Sequence, residues 1–299
     1  MPIIFPQDRD YISLSADIRA LCGRYKFLQR SSLGKSVLGK DLHILLLGQE
    51  PEYVLFAAAF HGTERITAAV VLRFVERLCD ALETDGNIAG IAARKAFYGR
   101  SLAVVPMINP DGCDIALKGL AGAGPAAASC FQLSGGSLHK WNANARGIDL
   151  NHNFDAGFNL QPKLEHAAGI TGPGPTRYGG TRPESEPETA ALCGFCRRER
   201  VERALAFHSQ GEEIYWKYGD YMPARSRELG NLFAASSGYT LSQPDAIASH
   251  GGFKDWFITE MKRPAYTIEM GMGQNPLPSG DMTGIYDRLE EMMMLALLL

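Results

Sequence analysis

The sequence predicts a single-domain α/β protein in which helices cover both faces of a mixed, mainly parallel sheet. Three unbroken apolar runs, at 54–60, 102–108 and 204–207, are typical of strands that are buried on both faces. After the first run, residues 64–82 carry apolar side chains at helical spacing. Strands that alternate with helices favour a parallel sheet, and 299 residues suffice for one large domain, so we take 1–299 as a single domain.

The rest of the N-terminal half contains patterns that predict a helix, a strand, a turn and a loop. Residues 11–22 have the pattern of a helix, and the apolar segment 42–47 follows a turn and reads as a strand. The segment 109–112, Asn-Pro-Asp-Gly, has the composition of a turn. The glycine- and alanine-rich stretch 119–136 is predicted to be a long loop.

In the C-terminal half, residues 169–187 are predicted to form a second long loop. Residues 186–203 have the pattern of one amphipathic helix. The run 265–269 reads as a further buried strand, and the apolar residues 292–299 as the buried end of a last helix.

Side chains that commonly bind zinc follow three of the predicted strands. His61 and Glu64 come after the first run, His208 ends another, and Glu269 ends a third. Open α/β sheets place their chemistry at the carboxyl ends of strands, and a catalytic zinc keeps three protein ligands and one open position. The competing interpretation of the first pair is an ordinary helix start, with Thr63 as the cap and Glu64 in the first turn.

With these residues in this order, the chain resembles the M14 zinc carboxypeptidases. The resemblance covers nearly all of the sequence and continues through 109–112 and 146–154. Within the family the chain is most similar to the γ-D-glutamyl-L-diamino acid peptidases, which act on bacterial cell-wall peptides. The segments 140–151, 185–188 and 208–216 carry that likeness.

The resemblance implies a zinc carboxypeptidase-like (phosphorylase/hydrolase-like) fold and one Zn²⁺ ion held by His61, Glu64 and His208. The zinc polarises the scissile carbonyl and acidifies a water, and Glu269 is the general base that passes the proton to the leaving amine. The developing oxyanion needs a cation, for which Arg146 is the first candidate and Lys140 the second; an ordinary surface charge is the alternative for Arg146.

Other residues are candidates for binding the substrate. The resemblance implies that Asn151 hydrogen-bonds a substrate carboxylate. The next residue is His152, where the family usually has an arginine that clamps a free C-terminus, and the usual pocket tyrosine is replaced near Ile247. Without the arginine fork, recognition of a free C-terminus should be weaker. Lys254 lies where the family sets specificity, and we expect it to pair with a substrate carboxylate such as the distal one of meso-diaminopimelate; the alternative is a solvent lysine.

The leading hypothesis is therefore a zinc metallopeptidase that cleaves the γ-D-glutamyl to diamino acid bond of peptides derived from muropeptides. A general metallocarboxypeptidase or deglutamylase of the same fold is the first alternative, and a non-catalytic wall-peptide-binding protein is the second. A redox protein using Cys193 and Cys196 is a third, although this C-x-x-C lies in the middle of a predicted helix.

Charge and hydropathy limit the partners. With 30 basic and 33 acidic residues, the net charge of −3 gives no electrostatic basis for binding nucleic acid or an anionic membrane. No signal peptide or membrane-spanning run is evident, so we expect a cytoplasmic protein, with a trimmed exported protein as the alternative.

Overall fold

The structure, a computed structural model, describes residues 2–243 and 250–299, so the prediction about the pocket position near Ile247 lies outside the described residues. The strands in this part of the chain are β1 (Gln29–Lys35), β2 (Asp41–Leu47), β3 (Glu52–Ala58), β4 (Asn87–Ile88), β5 (Ile91–Ala92), β6 (Ser101–Val105), β7 (Arg200–His208), β8 (Glu213–Tyr215), β9 (Thr240–Ser242) and β10 (Ala265–Glu269). The α-helices are α1 (Tyr11–Arg24), α2 (Arg65–Glu83), α3 (Pro110–Lys118), α4 (Leu120–Ala123), α5 (Ala127–Leu133), α6 (Gln161–Ala167), α7 (Pro187–Arg198), α8 (Ser226–Ser237), α9 (Phe253–Trp256) and α10 (Met282–Leu298).

The described strands form one mixed sheet in the order β1-β2-β6-β3-β7-β10-β8-β9, and β4 pairs with β5 in a separate hairpin. The central neighbours β6, β3, β7 and β10 are parallel to one another. The antiparallel pairs are β1 with β2, β2 with β6, and β10 with β8. This arrangement confirms the predicted mixed, mainly parallel sheet.

Helices cover both faces of the sheet because the central strands are apolar on both sides. In β3, Val54 and Phe56 pack into a core with residues of α1, α2, α8 and α10. The alternate residues Leu55 and Ala57 face a second core that includes residues of α7 and α9. All four side chains are fully buried, which accounts for the unbroken apolar run in the sequence.

Three sequence predictions about local structure were wrong. The 119–136 stretch contains the short helices α4 and α5, because alanine is a strong helix former. Gly119 and Gly124, both at positive φ, lie immediately before and after α4. The segment 109–112 begins α3 and is not a free turn: Asn109 caps the helix by accepting from Gly112 N, and Pro110 occupies the first helical position. The predicted 186–203 helix ends at Arg198, because Arg200 already pairs with Glu52 in the sheet.

The parallel register brings the predicted site residues to one edge of the sheet. His208, the last residue of β7, lies opposite Glu269, the last residue of β10. The end of β3 is on the other side of β7, where Ala58 lies opposite Phe207. Among the described helices, none is both long and apolar enough to cross a membrane.

Candidate metal centre and active site

The chain turns sharply between β3 and α2 and thereby presents His61 and Glu64. Ala59 has a positive φ of 52° and donates its backbone N–H to Thr67 Oγ1 at 2.9 Å, while the Thr67 hydroxyl donates to Glu64 O at 2.8 Å. A Cβ at Gly62 would come within 2.3 Å of the carbonyl oxygens of Gly112 and Trp141, so only glycine fits between the two metal-site residues.

Glu64 precedes α2 but does not cap it with its side chain. Thr63 is not the cap either, because its hydroxyl donates to Asn142 Oδ1 at 2.5 Å. A helix does begin at this segment, but the competing interpretation was wrong to name Thr63 as its cap. The Glu64 carboxylate instead faces the two histidines.

The imidazoles of His61 and His208 and the carboxylate of Glu64 converge on one point. His61 Nδ1 lies 2.9 Å from Glu64 Oε1, and His208 Nδ1 lies 3.1 Å from Glu64 Oε2. The two Nδ1 atoms are 3.3 Å apart, and the three ligand atoms all fall within 4.8 Å of one another. Ligands at 2.0–2.2 Å from a tetrahedral zinc are separated by about 3.3 Å, so the donor set fits one zinc ion.

Asp149 fixes the orientation of His61. The Nε2 atom of His61 lies 3.1 Å from Asp149 Oδ1, which leaves Nδ1 as the atom directed at the centre. The second oxygen of Asp149 accepts the backbone N–H of Arg177 at 2.7 Å. A histidine ligand held by a carboxylate in this way has the correct tautomer and greater basicity.

The electrostatics of the centre favour a bound cation. Burial alone would lower the pKa of His61, but the carboxylates of Glu64 and Asp149 raise it well above its usual range. For Glu64 the directions are reversed. Burial alone would raise the pKa of its carboxyl, but the charges of His61 and His208 lower that pKa to about 2. Two buried carboxylates around one imidazole make a negative environment that a divalent ion neutralises.

Glu269 lies beside this centre in a cavity of about 120 Å³, which it lines together with His61 and His208. Burial, and after it the Glu64 carboxylate, raises the pKa of Glu269 well above its usual value. A carboxylate whose pKa is raised in a partly closed site is suited to accept and return a proton.

The same cavity is lined by three of the residues proposed to bind substrate, Asn151, His152 and Lys254. The Asn151 amide oxygen accepts the backbone N–H of Phe253 at 3.0 Å, so its NH₂ group is the end that can donate to a ligand. The Nδ1 atom of His152 is buried without a hydrogen-bond partner among the described residues, and burial lowers the pKa of this imidazole.

Lys254 is 3% exposed, so it is not a solvent lysine. Its ammonium donates to the Lys217 carbonyl at 2.8 Å and forms a short ion pair with Asp255. Burial raises the pKa of the Asp255 carboxyl. The cavity therefore contains a buried cation and a buried carboxylate side by side.

The structure does not bring the two proposed oxyanion cations to this cavity. The Arg146 side chain is 55% exposed, and its nearest ion-pair partner is Glu186 at 3.4 Å. Lys140 is exposed and does not line the cavity. The role of Arg146 or Lys140 in stabilising an oxyanion stays a prediction.

Sequence reasoning missed several residues of the site. Asp149 is within a segment that carried the family resemblance, but it had no assigned role. Tyr215, Asp255 and Thr267 also line the cavity. The alternation of side chains along β10 is the signal for Thr267, which lies two residues before Glu269 and on the same face of the strand.

The structure gives no support to a redox role for the C-x-x-C pair. Cys193 and Cys196 are free thiols buried within α7. Burial raises the pKa of both thiols, which disfavours the reactive thiolate form. They act as small apolar side chains in the core on that face of the sheet.

Three converging side chains that could hold a metal ion lie beside a buried carboxylate at the carboxyl edge of a mainly parallel sheet, an arrangement that suits a zinc-dependent hydrolase. The sequence profile of the zinc carboxypeptidase family matches residues 14–288. The chain belongs to the zinc carboxypeptidase family, and with that membership it is a metallopeptidase whose cofactor is one zinc ion.

Individual relatives agree with this assignment. Gamma-D-glutamyl-L-diamino acid endopeptidase 1 of Lysinibacillus sphaericus is 33% identical over 287 residues, covering 94% of this chain and 70% of the relative. Bovine thrombin-activatable fibrinolysis inhibitor superimposes with a TM-score of 0.76 at 19% identity, covering 98% of this chain and 97% of that one. Murein-tripeptide amidase from Escherichia coli O157 superimposes with a TM-score of 0.51 at 20% identity, covering 90% and 89%. At these identities the two structures show the fold alone.

Removal of the carboxylate that orients His61 should weaken metal binding. We expect Asp149→Ala to lower zinc affinity by about 10–100-fold, because His61 loses the partner that fixes its tautomer. Competition with a chromophoric chelator measures this. Asp155→Ala, which removes an exposed carboxylate six residues away, is the control and should bind zinc as the wild type does. Equal zinc affinity in the two variants would show that Asp149 does not support the metal.

Proposed function

We propose that this protein hydrolyses the bond between γ-D-glutamate and a diamino acid in peptides derived from bacterial peptidoglycan. The observation that carries the proposal is the 33% identity to a γ-D-glutamyl-L-diamino acid endopeptidase over 94% of the chain. The chemistry of the cavity supports it, because a buried cation and a buried carboxylate lie next to the catalytic centre.

The proposed reaction gives each of these side chains a role. His61, Glu64 and His208 would hold the zinc ion, which when bound supplies Lewis acidity to the scissile carbonyl and to the attacking water. Glu269 accepts a proton from the water and returns it to the nitrogen of the departing diamino acid. Glu269 lines one cavity together with two of the proposed metal ligands and the proposed substrate-binding residues, so one carboxylate could serve both transfers.

The diamino acid would occupy the side of the cavity that Asn151 and Lys254 line. The Asn151 NH₂ group donates to the carboxylate next to the cleaved bond. A lysine ammonium has three donors, and two of those on Lys254 are engaged by Asp255 and the Lys217 carbonyl. The third is available for a second carboxylate, which meso-diaminopimelate has and lysine lacks.

His152 supports this function over that of a general carboxypeptidase. It lies at the position where a carboxypeptidase would use an arginine fork, and its pKa is lowered by burial. A neutral imidazole binds a terminal carboxylate less strongly than a bidentate guanidinium. Binding energy must then come from other parts of the substrate, including its distal groups.

A panel of peptides tests the proposed function. Zinc-loaded protein should hydrolyse L-Ala-γ-D-Glu-meso-diaminopimelate with a kcat/KM at least 100-fold above that for the α-linked isomer or for a simple N-blocked dipeptide. Free diamino acid would be measured by mass spectrometry. Comparable rates on all three would replace this proposal with a general carboxypeptidase.

Lys254 gives a sharper prediction about the substrate. Lys254→Gln keeps a hydrogen-bond donor for Asp255 but removes the charge, and we expect KM for the diaminopimelate peptide to rise by about tenfold or more. KM for the corresponding lysine peptide should change by less than about threefold. Lys217→Gln is the matched control, because the Lys217 side chain does not line the cavity. Equal effects of Lys254→Gln on the two peptides would show that Lys254 does not read the second carboxylate.

A further inference from the structure

A second cavity, of about 220 Å³, lies at the opposite end of β7 from the metal centre. The N-terminal half of β7, the turn before α8 and the turn before β10 enclose it. Its charged lining consists of four basic side chains and one carboxylate, namely Arg203, Arg225, Lys262, Arg263 and Glu202. A water molecule occupies about 30 Å³ of liquid, so the space holds a small ion with several waters.

Arg203 is the exceptional member of this group because its charge is buried and only partly paired. The residue is 1% exposed. Its Nη2 atom donates to Glu202 Oε1 at 2.9 Å, but its Nε and Nη1 atoms are buried without a hydrogen-bond partner among the described residues. Buried guanidinium donors normally have partners, since each unsatisfied donor loses its bonds to water.

The carboxylate of Glu202 cannot balance the charge of the cavity by itself. It already pairs with Arg203 and, at 3.0 Å, with Arg100 Nε. Burial lowers the pKa of Arg203, and the nearby Glu202 carboxylate opposes this shift without cancelling it.

The other three basic side chains make only weak contacts. Arg263 Nη1 donates to the Val201 carbonyl at 3.2 Å, and Arg225 Nη1 lies 3.4 Å from a main-chain oxygen of Leu299, the last residue. Lys262 Nζ lies 5.1 Å from the centre of the Tyr221 ring. Among the described residues, no Asp or Glu side chain forms an ion pair with these three side chains.

We infer that this cavity binds a phosphate-class oxyanion, with Arg203 at its base and Arg225, Lys262 and Arg263 around it. The cations come from three separate parts of the chain, at positions 203, 225 and 262–263. That arrangement suits a tetrahedral anion better than a planar carboxylate, which one guanidinium fork can satisfy. The start of α8 borders the same space and adds the positive end of a 12-residue helix.

Binding at this cavity would stabilise the two strands that carry the active site. Arg203 is in β7, which ends at His208, and Arg263 directly precedes β10, which ends at Glu269. An anion that bridges these residues would therefore raise the stability of the fold without contacting the metal centre.

The test is a titration of the zinc-loaded protein with sodium phosphate against sodium chloride at equal ionic strength. Calorimetry should show one saturable phosphate site, and the melting temperature should rise with phosphate. Arg203→Gln should weaken binding at least tenfold. Arg203→Gln changes a core residue and could also disturb the fold, so a second variant at less buried positions is needed. The double variant Lys262→Gln/Arg263→Gln should also weaken binding at least tenfold. Arg227→Gln removes an exposed charge from α8 that does not line the cavity, and it should leave the affinity within twofold of the wild type.

Two further experiments identify the site at which phosphate binds and the kind of phosphate that the site accepts. Phosphate bound at the metal centre would be lost in His208→Ala, so binding that persists in this variant supports the second cavity and its loss overturns the proposal. Glycerol 3-phosphate should compete with inorganic phosphate, since the cavity opens toward the exposed Arg225 and Lys262. No saturable binding, or an equal loss in Arg227→Gln and the cavity variants, would show nonspecific charge attraction and contradict the proposal.

Discussion

Glu269→Gln should lower kcat by about 10²–10⁴-fold while leaving one equivalent of zinc bound. The substitution keeps the shape of the side chain but removes its ability to accept a proton. Glu269 lines the catalytic cavity with His61 and His208 but is not one of the three converging ligands. This variant should therefore lose activity but keep its zinc. Steady-state kinetics would measure the activity, and zinc analysis would measure the metal content.

Glu213→Gln is the matched control for this experiment. Glu213 lies opposite Glu269 in the sheet, but its oxygens accept from the hydroxyls of Tyr215 and Ser242 and it does not line the cavity. We expect its effect on kcat to remain below tenfold. A comparable loss in both variants would mean that the activity depends on the general charge of this edge, and that Glu269 is not the proton acceptor.

His208→Ala should abolish both zinc binding and hydrolysis. The imidazole would provide one of the three ligands that the described residues offer, and a bound metal contributes several kcal/mol of transition-state stabilisation. A loss of about 4 kcal/mol corresponds to roughly 10³-fold in kcat/KM. Zinc content after dialysis and kcat/KM at saturating zinc are the two measurements.

The control for His208 is His166→Ala, since His166 is exposed on α6 and outside the catalytic cavity. This variant should retain one equivalent of zinc and wild-type activity. Full zinc content in His208→Ala would contradict the assignment of the third ligand. Full activity without zinc would contradict a metal-dependent mechanism altogether.

The sequence predicted the central sheet and the convergence of His61, Glu64 and His208 because both leave local signals. Strands buried on two faces, such as β3 and β6, appear as continuous apolar runs. His61, His208 and Glu269 each follow or end such a run, and parallel pairing then brings them together. No long-range information was needed to expect one shared site.

What could not be predicted depends on contacts between distant segments. Asp149 meets His61 across 88 positions of the sequence, and the burial of Lys254 depends on how α9 packs against the sheet. The predicted end of α7 was also wrong because it depends on a distant segment. Pairing with β3 extends β7 back to Arg200. The sequence position of Arg146 suggested a cation for the oxyanion, but its side chain is exposed in the fold.

The most direct test of the account is mass spectrometry of L-Ala-γ-D-Glu-meso-diaminopimelate after incubation with zinc-loaded protein, with Glu269→Gln in parallel. The account predicts release of free diaminopimelate by the wild type, at a rate at least 100-fold above that of the variant. It would be contradicted if wild-type protein with one equivalent of zinc released no diaminopimelate, or if Glu269→Gln released it equally fast.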